Sequence, residues 1–302
     1  MAENLKWKGN TGGGTLGQRG LIFFFRWWNL RLGYAIMAVV VLFYMLCAWK
    51  SYLAIYHYFR EQLGFSVWKS FCKTYRNHFL FGQVILDRFA VFAGRKNDFE
   101  IEIVGYEYYE RLADGEKGFV VVGSHTGNFE IAGYLLNGEK KRINALVFGG
   151  ETQIVQQNRT KILNGNNINL VPVSPDMSHL FIANAALANG EIVSMPADRV
   201  FGSSKSIECE FIRGKADFPV GAFALAVNAE VEVLAVFCMK ESAKKYKIYA
   251  QPLSCYRDGI DPQSLENKKE KIENLVFSYV EELEKMVKQY PEHWFNYYKF
   301  WK

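Results

Sequence analysis

Gly118-Phe119-Val120-Val121-Val122-Gly123-Ser124-His125-Thr126-Gly127-Asn128 is the stretch that decides the fold of this 302-residue chain. Phe119 to Val122 reads as a buried strand, Ser124 to Gly127 as a tight turn, and Asn128 as the cap of a helix reaching Leu136. Outward from it, short β-rich runs (Phe99 to Val104, Ile143 to Phe148, Ile168 to Val173, Glu191 to Met195, Ile207 to Ile212, Val231 to Phe237, Tyr246 to Gln251) alternate with helical stretches. Strands interleaved with helices predict an α/β sheet covered on both faces. An amphipathic helix from Pro262 to Gln289 follows, with Leu265, Ile272, Leu275, Tyr279, Leu283 and Met286 at helical spacing.

The other end of the chain differs in composition. Residues 1–31 carry Lys6, Lys8, Arg19, Arg26 and Arg31 against Glu3, with a Gly-rich stretch at Gly9 to Gly17, which predicts a basic, flexible leader. Leu32 to Trp49 then contains no charged residue, and as a helix of about 27 Å it just reaches the length that crosses a bilayer. No proline precedes Pro172, so residues 32–93 predict two long helices broken near Gly64-Phe65-Ser66, with Ser66 capping the second. No small-residue cleavage site follows the run, which favours a retained anchor over a cleaved signal. Both flanks are basic, so the charge rule sets no orientation, and a helix lying in one leaflet suits them as well as a spanning one. The bland alternative is a core helix of a soluble protein. Residues 94–302 make up the α/β unit.

Composition narrows the function. Aromatics are 16% of residues, and rings in that number need a core, a lipid interface or a ligand to cover them. The net charge of +5 is too small and scattered for a nucleic-acid groove, yet it suits an anionic lipid surface. Five widely spaced cysteines without a CxxC pair exclude a disulfide scaffold and fit a reducing compartment. His57, His78, His179 and His293 lack metal-ligand spacing, and neither a metal nor a cofactor is expected.

The chemistry gathers at the first-quoted stretch. His125 sits at the apex of Gly123-Ser124-His125-Thr126-Gly127, where a hydrolase elbow displays its serine, so a base is presented rather than a nucleophile. Glu130 stands five residues on, and its carboxylate on one imidazole nitrogen would fix the tautomer and leave the other to deprotonate a hydroxyl or amine. Amides at the helix start would stabilise an oxyanion. Ser124 as a covalent nucleophile and His125 as a structural turn residue are the competing readings.

Ser-His-Thr-Gly-Asn-Phe-Glu (124–130) resembles the HX4(D/E) motif of glycerolipid-type acyltransferases, and in its Asn-aromatic-Glu form that of the lipid A late acyltransferases, the lauroyl and myristoyl transferases. Three further stretches are similar to that family in the same order: Pro196-Ala197-Asp198-Arg199-Val200-Phe201-Gly202; Phe211 to Ala216 with Phe218-Pro219-Val220-Gly221-Ala222; and Pro291-Glu292-His293-Trp294-Phe295 with Trp301-Lys302. Val200 stands where the family has a second acid. The resemblance implies a mixed central sheet flanked by helices behind an N-terminal anchor. It also implies a membrane-bound enzyme on the cytoplasmic side of a bacterial inner membrane, transferring an acyl chain from acyl carrier protein to a hydroxyl of a lipid A precursor. On it, His125 and Glu130 are the catalytic pair, and Asn128, Arg159, Asp198 and Arg199 are substrate-binding candidates. An acyltransferase for another lysophospholipid or aminolipid, and a non-catalytic lipid-binding protein, stay open beside this reading.

Overall fold

The computed structural model describes residues 14–135, 140–148, 157, 160, 163, 165, 167–174, 176–200, 205–255 and 267–302. Four helices come first: α1 (Gly14–Trp27), α2 (Leu30–Cys47), α3 (Trp49–His57) and α4 (Val67–Phe92), with one wide π-type turn over Tyr58–Gln62. Asn29 caps α2 by accepting from the Leu32 amide at 3.0 Å, and Ser66 caps α4 as its sequence predicts. The Gly-rich start is not a flexible leader throughout. From Gly14 it is helical, because Phe25 is fully buried and Leu21, Ile22 and Phe24 pack against α4 and its neighbours, and that tertiary burial outweighs the low helix propensity of glycine.

Strands and helices then alternate: β1 (Glu100–Val104), α5 (Tyr106–Asp114), β2 (Phe119–Gly123), α6 (Phe129–Leu135), β3 (Ile143–Phe148), β4 (Ile168–Val173), α7 (Ser178–Ala188) and β5 (Ile192–Pro196). A hairpin of β6 (Ser206–Phe211) and β7 (Gly214–Pro219) follows, then α8 (Gly221–Ala229), β8 (Val233–Lys240), β9 (Lys245–Leu253) and α9 (Lys268–Gln289). Strand β7 was not legible in the sequence, since Gly214 and Pro219 bound a run that contains Lys215 and Asp217. The sheet order is β1-β9-β8-β2-β5-β3-β4; among the described residues of this sheet β8 and β9 pair antiparallel and the other neighbours parallel, so the central sheet is mixed.

Period-two alternation assigns the two faces. On β8, Val233, Ala235, Phe237 and Met239 enter the core made with α7, α8 and α9, whereas Cys238 enters the one made with α4 and α6. That second core also holds Phe25, Leu30 and Tyr34, so it runs across the boundary predicted at 93/94. Helix α2 lies close against α4: a Cβ at Gly82 would sit 2.6 Å from Met37 Cγ, and Tyr75 Oη donates to Ala38 O at 3.0 Å. Its outer face is bare, with Ile36, Val39, Val40, Phe43 and Leu46 exposed, and its 18 residues have a mean hydropathy of 2.1.

Candidate active site

Parallel pairing of β2 with β5 builds the site. Gly123 is registered with Pro196 at the carboxyl ends of the two strands, the edge at which open α/β sheets hold their ligands. His125 and Asp198 each follow two residues later, so strands far apart in sequence deliver them side by side. The Ala197 amide donates to Gly123 O at 3.0 Å, and Tyr279 Oη donates to the same carbonyl at 2.8 Å, which fixes the exit of both strands.

Asp198 holds His125 at two points. The His125 amide donates to Oδ2 at 2.9 Å, and Nδ1 lies 2.8 Å from Oδ1. Burial of Asp198 would raise its carboxyl, but the charge and hydrogen bonds of His125 and the nearby Arg199 outweigh that and hold it at about 2. An ionised carboxylate only accepts, so Nδ1 carries the proton and Nε2 is the basic nitrogen of the neutral ring. Among the described residues Nε2 makes no hydrogen bond, and the side chain is 21% exposed.

The sequence expectation for Glu130 is therefore corrected. Among the described residues no hydrogen bond joins it to His125; Arg88 Nη1 of α4 takes it at 3.2 Å. The reason is geometric: His125 leaves the strand before the turn and points at the β5 exit, while Glu130 already rides on α6, which packs against α4. Asn128 is 4% exposed, its Oδ1 accepts from the Ile131 amide at 3.2 Å and its Nδ2 donates to Tyr246 Oη at 3.2 Å, so it caps α6 and links it to β9.

The expected oxyanion donors are partly spent, since the amides of Gly127 and Asn128 already donate to His293 O and Cys238 O at 3.0 and 2.7 Å. Gly127 has no substitute here: its φ is +76°, and a Cβ would lie 2.2 Å from Cys238 O. Ser124 is buried, and its Oγ accepts from the Thr126 amide at 3.2 Å, which makes it part of the turn. Arg199 Nε donates to Asn296 Oδ1 at 2.6 Å and Nη2 to Phe295 O at 3.2 Å. Arg159 lies outside the described residues.

Sequence reasoning missed what closes the site from behind. Residues 293–296 lie along the turn: the Phe295 amide donates to His125 O at 3.2 Å, and Asn296 Nδ2 donates to Asp198 Oδ2 at 3.2 Å. Asn77 Nδ2 of α4 holds this segment through Glu292 O and Trp294 O, at 2.9 and 2.7 Å. Trp294 is fully buried among Tyr58, Phe211, Phe300 and Trp301, which explains why a Trp-rich motif stands so far from the histidine it supports. Only its proximity in sequence to Pro291-Glu292-His293-Trp294-Phe295 could have pointed to Asn296.

The crystal structure of the 1-acyl-sn-glycerophosphate (LPA) acyltransferase PlsC from Thermotoga maritima matches at 14% identity, over 88% of this chain and 99% of that one, with a TM-score of 0.38. No curated protein matches. The family model described as bacterial lipid A biosynthesis acyltransferase matches residues 72–302, from within α4 to Lys302 and across the whole sheet and the His125–Asp198 pair. The chain belongs to the bacterial lipid A biosynthesis acyltransferase family.

Proposed function

We propose that the protein transfers a fatty acyl chain from an acyl carrier protein thioester to a hydroxyl of a lipid A precursor, with His125 as general base. One observation carries this: a histidine whose Nδ1 is tied to a buried carboxylate while Nε2 stays open at the carboxyl end of the sheet. In the step, Nε2 takes the proton of the acceptor hydroxyl while its oxygen attacks the thioester carbonyl carbon. The tetrahedral intermediate expels the thiolate, the C–S bond breaks, and the imidazolium returns the proton to sulfur. Asp198 steadies the imidazolium charge meanwhile. Glu130, ion-paired to Arg88 at the start of α6, ties the segment that follows the base to α4. No acyl-enzyme is required, and the buried Ser124 is consistent with direct transfer.

Helix α2 supports a membrane location. One side lies on α4 while the other is apolar and exposed, and Trp27, Trp28 and Trp49 flank it with Arg26, Arg31 and Lys50 close by. Covered by α4 along one side only, it suits a helix lying in one leaflet, with the catalytic unit on the cytoplasmic face of the inner membrane.

The test is lipid mass spectrometry of a deletion strain, complemented with wild type or His125→Ala. The expected result is a lipid A species lacking one acyl chain, restored by wild type alone. An intact lipid A with an altered phospholipid profile would assign a different acceptor, and full complementation by His125→Ala would end the general-base reading.

A further inference from the structure

A second buried polar cluster lies behind the catalytic turn. Lys240 Nζ, at the end of β8, donates to Asp87 Oδ2 of α4 at 2.5 Å and to Ala243 O at 3.1 Å. Tyr246 Oη donates to the same carboxylate, and so does Tyr34 Oη, which comes from the apolar helix α2. The side chains of Lys240 and Asp87 are 1% and 0% exposed.

We infer that this cluster positions His125, and that α2 is thereby a working part of the catalytic unit rather than a tether. The inference rests on His125 being the base. Two routes lead from the cluster to the turn. By the first, Tyr246 Oη accepts from Asn128 Nδ2 at 3.2 Å, and Asn128 caps α6 three residues after His125. By the second, the Lys240 amide donates to His293 Nε2 at 3.1 Å, and His293 O receives the Gly127 amide at 3.0 Å. Apolar side chains would join α2, α4 and β8 at lower cost, because removing an ion pair and two phenol hydroxyls from water is expensive. What such a cluster supplies is direction: each hydrogen bond fixes where its partners stand, and a base misplaced by about 1 Å loses up to ~10²-fold in rate. Tyr34 couples that geometry to the seating of α2.

The test uses the full chain in lipid nanodiscs, with dodecanoyl–acyl carrier protein and a lipid A precursor as probes. Tyr246→Phe removes one link while leaving the ion pair intact, and Tyr34→Phe removes another. We expect kcat to fall about 5–10-fold and about 3-fold, with both KM values within about twofold of wild type. The double variant should lose less than the product of the two, because both act through Asp87. The side-chain ¹⁵N–¹H signal of His125 should move in both variants, a readout that needs no turnover. Unchanged kcat and unmoved signals would overturn the inference, as would losses that follow only the amount of folded protein. His125→Ala measured alongside separates the two claims: activity without His125 sinks the base assignment, whereas an inactive His125→Ala beside wild-type-like tyrosine variants sinks only the positioning.

Discussion

Asp198 and Asp87 are both fully buried carboxylates paired with a nitrogen base, and the two regions around them behave in opposite ways. Asp198 is held at about 2, and its partner His125 reaches the surface. Burial pushes the Asp87 carboxyl up and the Lys240 ammonium down, and both are sealed. An ion pair open on one side can pass a proton onward; one closed on every side can only fix the shape of what surrounds it. The chain places the first at the exit of two parallel strands and the second beneath the turn.

The sharpest way to break this comparison is to remove each carboxylate. Asp198→Asn should keep the shape but lose the tautomer and the charge, lowering kcat by about 10³–10⁴-fold. Glu130→Gln should cost about 10–10²-fold, because it loses a contact with Arg88 and not one with His125. Steady-state kinetics of the two variants decides, and the reverse order would return the orienting role to Glu130.

The sealed pair should reveal itself in stability. Lys240→Met leaves Asp87 uncompensated and is expected to cost about 3–5 kcal/mol, while Asp87→Leu with Lys240→Met should recover most of that. Denaturant unfolding in micelles measures it, and a double variant no more stable than the single ones would contradict the picture of a charge pair kept for geometry.

A smaller effect concerns pH. Burial holds His293 at about 4, below its ordinary 6.5. The unfolded chain thus binds a proton first, so stability is full above pH 6.5 and falls as pH drops from 6.5 toward 4. The loss reaches at most about 3 kcal/mol. Thermal melts of wild type against His293→Asn check this: the variant should show a flatter profile across that window, and parallel profiles would exclude His293 as the titrating group.

How much of this was legible in the sequence follows from how local each signal is. The β2 strand, the turn and the Asn128 cap were readable because they are set by neighbours along the chain. The partner of His125 was not, because register between β2 and β5 decides it, and register is a property of the sheet. Glu130 was the natural choice by spacing, and spacing alone cannot say which way an imidazole turns after a strand. The sealed cluster left a faint mark: Asp87 is an isolated acid within Phe79 to Phe92, and Lys240 closes the apolar run of β8. Two opposite charges, each the one of its sign in an apolar segment, are a pairing signal that the patterning of single elements does not show.

The strip formed by residues 293–296 sets a clock on biosynthesis. His125 O and the Gly127 amide find their partners only in a segment synthesised some 168 residues after His125. At roughly 5–20 residues per second, the base waits about 10–30 s on the ribosome before its support arrives. The loop that carries the base therefore takes its final shape only after residues 293–296 have been made.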